Sequence, residues 1–100
     1  MASVSSDIIA SYAADAAREV EGVLDLVESR LARHKGVRVL EEGGIIGVEL
    51  HLAVAWGASI PQVGGQVQAR VAEYLLRMLQ LEVGSVDVVI DEIGAKEVTA

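Results

Sequence analysis

The sequence has few of the residues on which the chemistry of small proteins usually depends. It has no Cys, no Phe, one Pro and only 3% aromatic residues among its 100 positions. The lack of cysteine excludes disulfide frameworks, thiolate zinc sites and cysteine nucleophiles. No apolar run approaches the roughly 20 residues that span a bilayer, and the start MASVSSD lacks the basic and apolar segments of a secretory signal. We therefore expect a cytoplasmic domain without direct membrane insertion.

The charge balance excludes a second group of functions. Eight basic residues stand against 15 acidic ones, which gives a net charge of −7. This charge repels nucleic-acid phosphates and anionic lipid, and we expect no nucleic-acid partner. Apolar residues make up 52% of the chain, which is too many for a disordered protein. The length predicts one domain over 1–100, with its core at about 5–93.

Two segments have the apolar spacing of amphipathic helices. The first covers residues 7–21, and any of the three polar residues at 5–7 could cap its start. The second covers 60–81, where Ser59 and Gln62 form a capping box. Residues 23–35 fit either a short helix or an irregular segment, and we favour the short helix.

Three segments predict strands. Residues 37–41 alternate, the pair Gly43-Gly44 suits a tight turn, and residues 46–55 then alternate over ten positions. Residues 86–91 form the last strand, which we expect to lie parallel to the second because the long helix connects them. The pattern leaves open whether the last strand lies beside the first or the second.

The predicted fold class is α+β. We expect a two-layer sandwich with a three-stranded mixed sheet and two main helices, in the order α-β-β-α-β, with the short extra helix after the first.

Catalytic chemistry has little support in this sequence. His34 and His51 are 17 positions apart and lie outside any metal-binding motif, so we interpret His51 as a solvated or partner-facing side chain next to Glu49. The adjacent carboxylates Asp91-Glu92 would point to opposite faces of a strand unless a bulge intervenes. We predict no catalytic residue, no metal ligand and no cofactor.

Association with other macromolecules has more support, since a chain of this size cannot hide all its apolar residues. Trp56 fits equally well as an interface anchor or as a core plug, and Gly64-Gly65 could let a partner approach the second helix or could be tolerated there. The basic cluster at 30–38 would meet an acidic protein surface. The candidate interaction surface comprises Trp56, Gly64, Gly65, His51, Arg30, Arg33, Lys35 and Arg38.

An ordered set of short motifs resembles the alkaline shock protein family, the Gls-type envelope stress proteins. The resemblance covers about residues 4–93. The motifs are Asp7-Ile8-Ile9, VEGV at 20–23, KGVRV at 35–39, GGIIGVELHLAVAWG at 43–57, SIPQV at 59–63, VQARV at 67–71 and VDVVID at 86–91. The chain departs from the family pattern at Gly64-Gly65 and in lacking long polar tails.

The resemblance implies a non-enzymatic cytoplasmic protein that is linked to stress of the cell envelope. Some relatives gather at the membrane through a membrane-anchored partner, and some self-assemble. The family has no established catalytic residues, so none is transferred to this chain. The function we expect is that of a self-associating or partner-docking module at the cytoplasmic side of the membrane, with a homo-oligomer and a small membrane-anchored protein as partners. The alternative is a small-ligand or metal-binding regulatory domain that uses His51, Glu49 and neighbouring carboxylates.

Overall fold

A computed structural model describes residues 4–30 and 32–95 of this chain. It has the predicted α+β class, with two helices and a mixed sheet. The elements in chain order are helix α1 (Ser6–Arg18), strands β1 (Val23–Leu26), β2 (Val37–Glu42) and β3 (Ile45–Val54), helix α2 (Ile60–Leu79) and strand β4 (Ser85–Ile93).

Strand β3 is the centre of the sheet. It pairs antiparallel with β2 over 45–50 and with β1 over 52–54, and it pairs parallel with β4 over 47–54. Because a strand has only two edges, β1 and β2 must share one edge of β3 while β4 occupies the other. The parallel pairing of the second and last predicted strands is therefore confirmed, and the last strand lies beside the second.

Strand β1 corrects the prediction of a short helix within 23–35 and makes the sheet four-stranded rather than three-stranded. Gly22 has a φ of 98° and turns the chain after α1. Val23 and Leu26 then pair with Val54 and Leu52, on the part of the shared edge of β3 that lies beyond the end of β2. Pairing satisfies the backbone groups of both segments, which outweighs the weak helical spacing of the side chains. Leu31, which contributed to that spacing, lies outside the described residues.

Turns and caps formed as their sequences indicated. Gly43 and Gly44 have φ angles of 60° and 81°, as the tight hairpin turn between β2 and β3 requires. The Ser5 hydroxyl accepts a hydrogen bond from the Ile8 N–H at the start of α1. The Ser59 hydroxyl accepts one from the Gln62 N–H at the start of α2, at 3.4 Å, which is one of the two hydrogen bonds of the predicted capping box.

The core lies between the helices and one face of the sheet. Alternate residues of β3 are almost fully buried there, and each such side chain contributes about 1.5–3 kcal/mol relative to an exposed one. Helix α1 contributes mainly alanines, which let it approach the sheet closely, and α2 contributes one residue per turn. The two helices also touch through Tyr12 and Tyr74, whose ring centroids are 5.8 Å apart. The β3 and α2 core residues are Val48, Leu50, Leu52, Val54, Val63, Val67, Val71 and Leu75.

The opposite face of the sheet carries Glu49, His51 and Ala53 of β3, and no described helix packs on it. Neither described helix is long and apolar enough to cross a bilayer.

Candidate functional site

An exposed apolar cluster forms where β3 ends and α2 begins. Gly57 turns the chain with a φ of 84°, and Trp56, immediately before it, is 60% exposed. Ile60 and Ile93 line the same hollow of about 290 Å³ as Trp56. We call Leu24, Trp56, Ile60 and Ile93 the Trp56 patch. All four are exposed large apolar side chains.

Leu24 joins the patch through its side chain, which reaches past β3 to Gly94, the residue that follows β4. A Cβ atom added at Gly94 would lie 2.8 Å from Leu24 Cδ1 and 3.7 Å from the backbone nitrogen of Trp56. Leu24 is exposed because the pairing of β1 with β3 is irregular between Val23 and Asp25. The patch thus draws on four separate elements or turns. Its exposure excludes the interpretation of Trp56 as a core plug.

A hydrogen-bonded cluster occupies the open face of the sheet. His51 Nδ1 lies 2.8 Å from Asp91 Oδ2, and His51 Nε2 lies 2.8 Å from Glu49 Oε2. An ionised carboxylate only accepts hydrogen bonds, so His51 can donate to both partners only when both of its ring nitrogens carry a proton. This geometry favours the imidazolium form, with one positive charge between two negative ones.

The surroundings of His51 have opposing effects on its pKa. Burial is the largest contribution and acts to lower the pKa of His51. The hydrogen bonds and charges of Glu49 and Asp91 outweigh it, so the pKa is raised above its ordinary value of 6.5. The side chain is only 9% exposed, and the expectation of a solvated imidazole is therefore wrong.

A bulge in β4 brings Asp91 to His51. The register with β3 shifts after the pair Leu52–Ile90, because Ala53 pairs with Glu92 and not with Asp91. The extra residue lets two consecutive carboxylates escape the strict alternation of a strand. A bulge is thus present at the pair Asp91-Glu92, as strand alternation requires for these carboxylates to converge. The two carboxylates that do converge are Asp91 and Glu49, and both contact the imidazole of His51.

The basic residues of the candidate surface lie on another part of the molecule. Arg30, Arg33, Lys35 and Arg38 are all exposed, in the connection between β1 and β2 and on β2 itself. Arg38 pairs in register with Glu49. The Trp56 patch and the basic residues are thus separate surfaces, with His51 buried between two carboxylates.

Gly64 and Gly65 lie in the second turn of α2. A Cβ atom added at either position would meet no heavy atom within 4 Å. Neither glycine has the positive φ that would require this residue type. Packing and backbone conformation therefore give no reason for glycine at these positions, and their part in an interface stays a prediction.

The sequence did not indicate the partners of its key residues. It singled out Trp56 but missed Leu24, Ile60 and Ile93, and it singled out His51 and Glu49 but not Asp91 as the third member. Alternation alone could not show these neighbours, because they come together through strand pairing between distant segments.

These features define a class of protein: a small α+β domain with two helices on one face of a mixed sheet and its other face open. Solved structures of this fold include the copper form of the MamM CTD, with a TM-score of 0.65, 18% identity and coverage of 94% of this chain and 92% of that one. A zinc form of a MamM CTD variant has a TM-score of 0.62 and 20% identity, covering 91% and 86%. At such identities the likeness shows the fold alone.

The chain belongs to the alkaline shock protein 23 family, which is described as having a cell envelope-related function and matches residues 2–95. The uncharacterized protein YqhY of Bacillus subtilis (strain 168) is 31% identical over 96 residues, covering 85% of this chain and 70% of that protein. The resemblance seen in the ordered motifs is therefore confirmed.

Proposed function

We propose that this domain is a non-enzymatic interaction module of the envelope stress type, which self-associates or docks on a membrane-anchored partner at the cytoplasmic side of the membrane. The family's cell envelope-related function supports the setting. The Trp56 patch supports the mode of action, and it is the observation that carries the proposal.

The Trp56 patch has the character of a protein interface. Tryptophan is enriched among the residues that contribute most to binding, and large apolar patches mark interaction sites on small domains. Trp56 lies at a turn that Gly57 fixes, so little conformational entropy is lost when a partner covers it. The four apolar side chains also carry no charge, so a second copy can cover them without burying an ionised group.

A non-enzymatic role is supported by how the polar side chains are used. Both nitrogens of His51 are occupied by carboxylates of the same chain, and the side chain is buried. His51 does not line the hollow beside Trp56. The His51 cluster, which is the most elaborate polar cluster of the described residues, therefore makes these hydrogen bonds among its own members.

The alternative, a small-ligand or metal-binding regulatory domain, has less support. Solved MamM CTD structures of the same fold include copper, zinc and manganese forms. In this chain the two carboxylates lie on opposite sides of the His51 ring, and no three His, Cys, Asp or Glu side chains among residues 4–30 and 32–95 are grouped to hold one metal ion.

Replacement of Trp56 tests the proposed function. We expect the chain to exceed its monomer mass of 10.5 kDa in light scattering at tens of micromolar. Trp56→Ser should weaken this self-association at least about tenfold, because it removes the largest anchor of the patch.

Leu76→Ser provides the matched control, since Leu76 is another exposed apolar residue and lies on α2, 16 positions after Ile60 of the patch. It should leave the mass unchanged. A chain that stays monomeric and retains no protein in a pull-down with membrane extract contradicts the proposed function.

A further inference from the structure

Strand β4 is an unguarded edge of the sheet. It pairs with β3 on one side, and among the described residues no strand pairs with its other side. Its nine residues, SVDVVIDEI, contain neither Lys nor Pro, which natural edge strands use to prevent pairing with other chains. The bulge at Asp91 limits the regular part of this edge to residues 85–90. We call that part the β4 edge.

The hydrogen bonds of β3 show which backbone groups face outward. The His51 N–H bonds to the Gly36 carbonyl, and the His51 carbonyl accepts from the Val27 N–H, so His51 directs its backbone groups away from β4. Leu50 and Leu52 must then direct theirs towards β4, because the direction alternates along a strand. In a parallel ladder the β4 residues in register with them, Val88 and Ile90, direct their own groups to the free edge.

One outward group of the β4 edge already has a side-chain partner. The Gln68 amide of α2 donates a hydrogen bond of 3.0 Å to the Val86 carbonyl. Val86 has the same direction along the strand as Val88 and Ile90, so this contact agrees with the placement of their groups on the edge. The neighbouring groups of Val88 and Ile90 have no such cover in the contacts of the described residues.

The side chains of the β4 edge specify what could pair with it. On the helix side, Val86, Val88 and Ile90 are only partly buried and pack against the core. On the open side, Asp87 lies in register with Glu49 and Val89 lies in register with His51, and Asp91 follows one residue after the edge. An added strand would therefore meet the apolar row on one of its faces, and on the other face it would meet Val89 flanked by the carboxylates of Asp87 and Asp91.

We propose that the β4 edge binds an extended segment of a partner protein in which apolar and basic residues alternate. The added strand would complete the backbone hydrogen bonds of Val88 and Ile90, cover the apolar row and place Lys or Arg beside Asp87. A second copy would instead bring another chain of net charge −7 to this acidic edge, which disfavours it. This inference rests on the proposed function and names the chemistry of the docking partner.

A heptapeptide tests this inference on the intact chain. The probe is acetylated and amidated Lys-Val-Lys-Val-Lys-Val-Lys, and its control has Glu in place of every Lys. Calorimetry should show one bound probe per chain and no binding of the Glu peptide.

Changes in β4 and α2 then locate the binding. Val88→Pro removes the outward N–H but no ladder hydrogen bond, and should weaken binding about tenfold or more. Val88→Ile keeps the N–H and should bind as the unaltered chain does. Gln68→Ala frees the Val86 carbonyl and should tighten binding about threefold.

Charge replacements test the acidic side of the edge. Asp87→Asn should weaken binding of the Lys peptide. Glu21→Gln, which changes the net charge equally but lies beside β1 at the other edge, should not. Thermal melting checks that each variant is folded.

Several results would overturn the inference while leaving the proposed function intact. One such result is that the Lys peptide binds the folded Val88→Pro and Val88→Ile variants equally. Another is that a chain which still associates through Trp56 does not bind the Lys peptide at all. A third result is that the chain does not bind the Lys peptide and that Val88→Pro abolishes its self-association. That result would assign the β4 edge to a second copy of this chain.

Discussion

At the scale of single residues, His51 is where this chain concentrates its polar interactions. Its ring joins Glu49 on its own strand with Asp91, 40 positions away on the neighbouring strand. A buried charge is stable only if it is paired, and here two carboxylates share one imidazolium. Removing the imidazole would leave Glu49 and Asp91 without the partner that they share.

The His51 cluster predicts that stability depends on pH. Its pKa is raised in the folded chain, so between the unfolded value of about 6.5 and the folded one the native state binds more protons. The contribution of His51 to the free energy of unfolding is therefore fully present below pH 6.5. This contribution is lost as the pH rises through the folded pKa, by at most about 1.4 kcal/mol per pH unit. Urea denaturation from pH 6 to 9 measures this decrease.

His51→Gln should flatten that pH dependence, since glutamine does not titrate. His34→Gln is the control and should retain it, because His34 is less buried, and its contacts are a carboxylate of Asp7 at 3.8 Å and the Ser11 hydroxyl at 3.4 Å. An unchanged slope in His51→Gln would show that another group causes the decrease.

At the scale of elements, α2 combines a strong start with a weak second turn. Ser59 caps its first turn and Pro61 stands where no backbone N–H is needed, so the helix begins at a defined position. Gly64 and Gly65 then each forgo about 1 kcal/mol of helix propensity relative to alanine. The core contacts of α2 with α1 and β4 sustain the helix across this turn.

Alanine at these glycines should therefore stabilise the domain. Gly64→Ala and Gly65→Ala each add a side chain into open space, so we expect each to raise the free energy of unfolding by about 1 kcal/mol. Gly22→Ala is the opposite control, because its φ is 98° and the new Cβ would lie 2.8 Å from Val63 Cγ2. Urea midpoints at constant slope measure all three. A destabilised Gly64→Ala variant would refute this account of the second turn.

At the scale of the whole molecule, the net charge of −7 acts on every encounter. Two copies repel each other before their Trp56 patches meet. A basic partner is attracted to the same negatively charged domain. Electrostatic steering thus opposes self-association and assists docking at the β4 edge.

The two proposed interactions should consequently respond to salt in opposite directions. Raising NaCl from about 0.02 M to about 0.3 M shortens the Debye length and screens both effects. Light scattering should then show stronger self-association, while calorimetry should show weaker binding of the Lys peptide. If both interactions weakened together, self-association would have to depend on charge attraction rather than on the apolar patch.

The elements that the sequence predicted correctly are those whose signals are local. Alternation over ten positions marked β3, turn chemistry marked Gly43-Gly44, and helical spacing with a cap marked α2. The segment that became β1 was predicted wrongly because its four residues carry little pattern of their own. They became a strand because β3 offered them a free edge, and an edge belongs to the folded sheet.

By itself, the sequence determined the α+β class, the parallel placement of the last strand and the family, because periodicity, caps and ordered motifs can be read along the chain. Only the tertiary structure decided that Trp56 is exposed, that Asp91 reaches His51 and that the β4 edge is open. Each of these depends on contacts between residues far apart in sequence. Strand pairing and a bulge set such contacts, and neither leaves a periodic signal in the residues that it brings together.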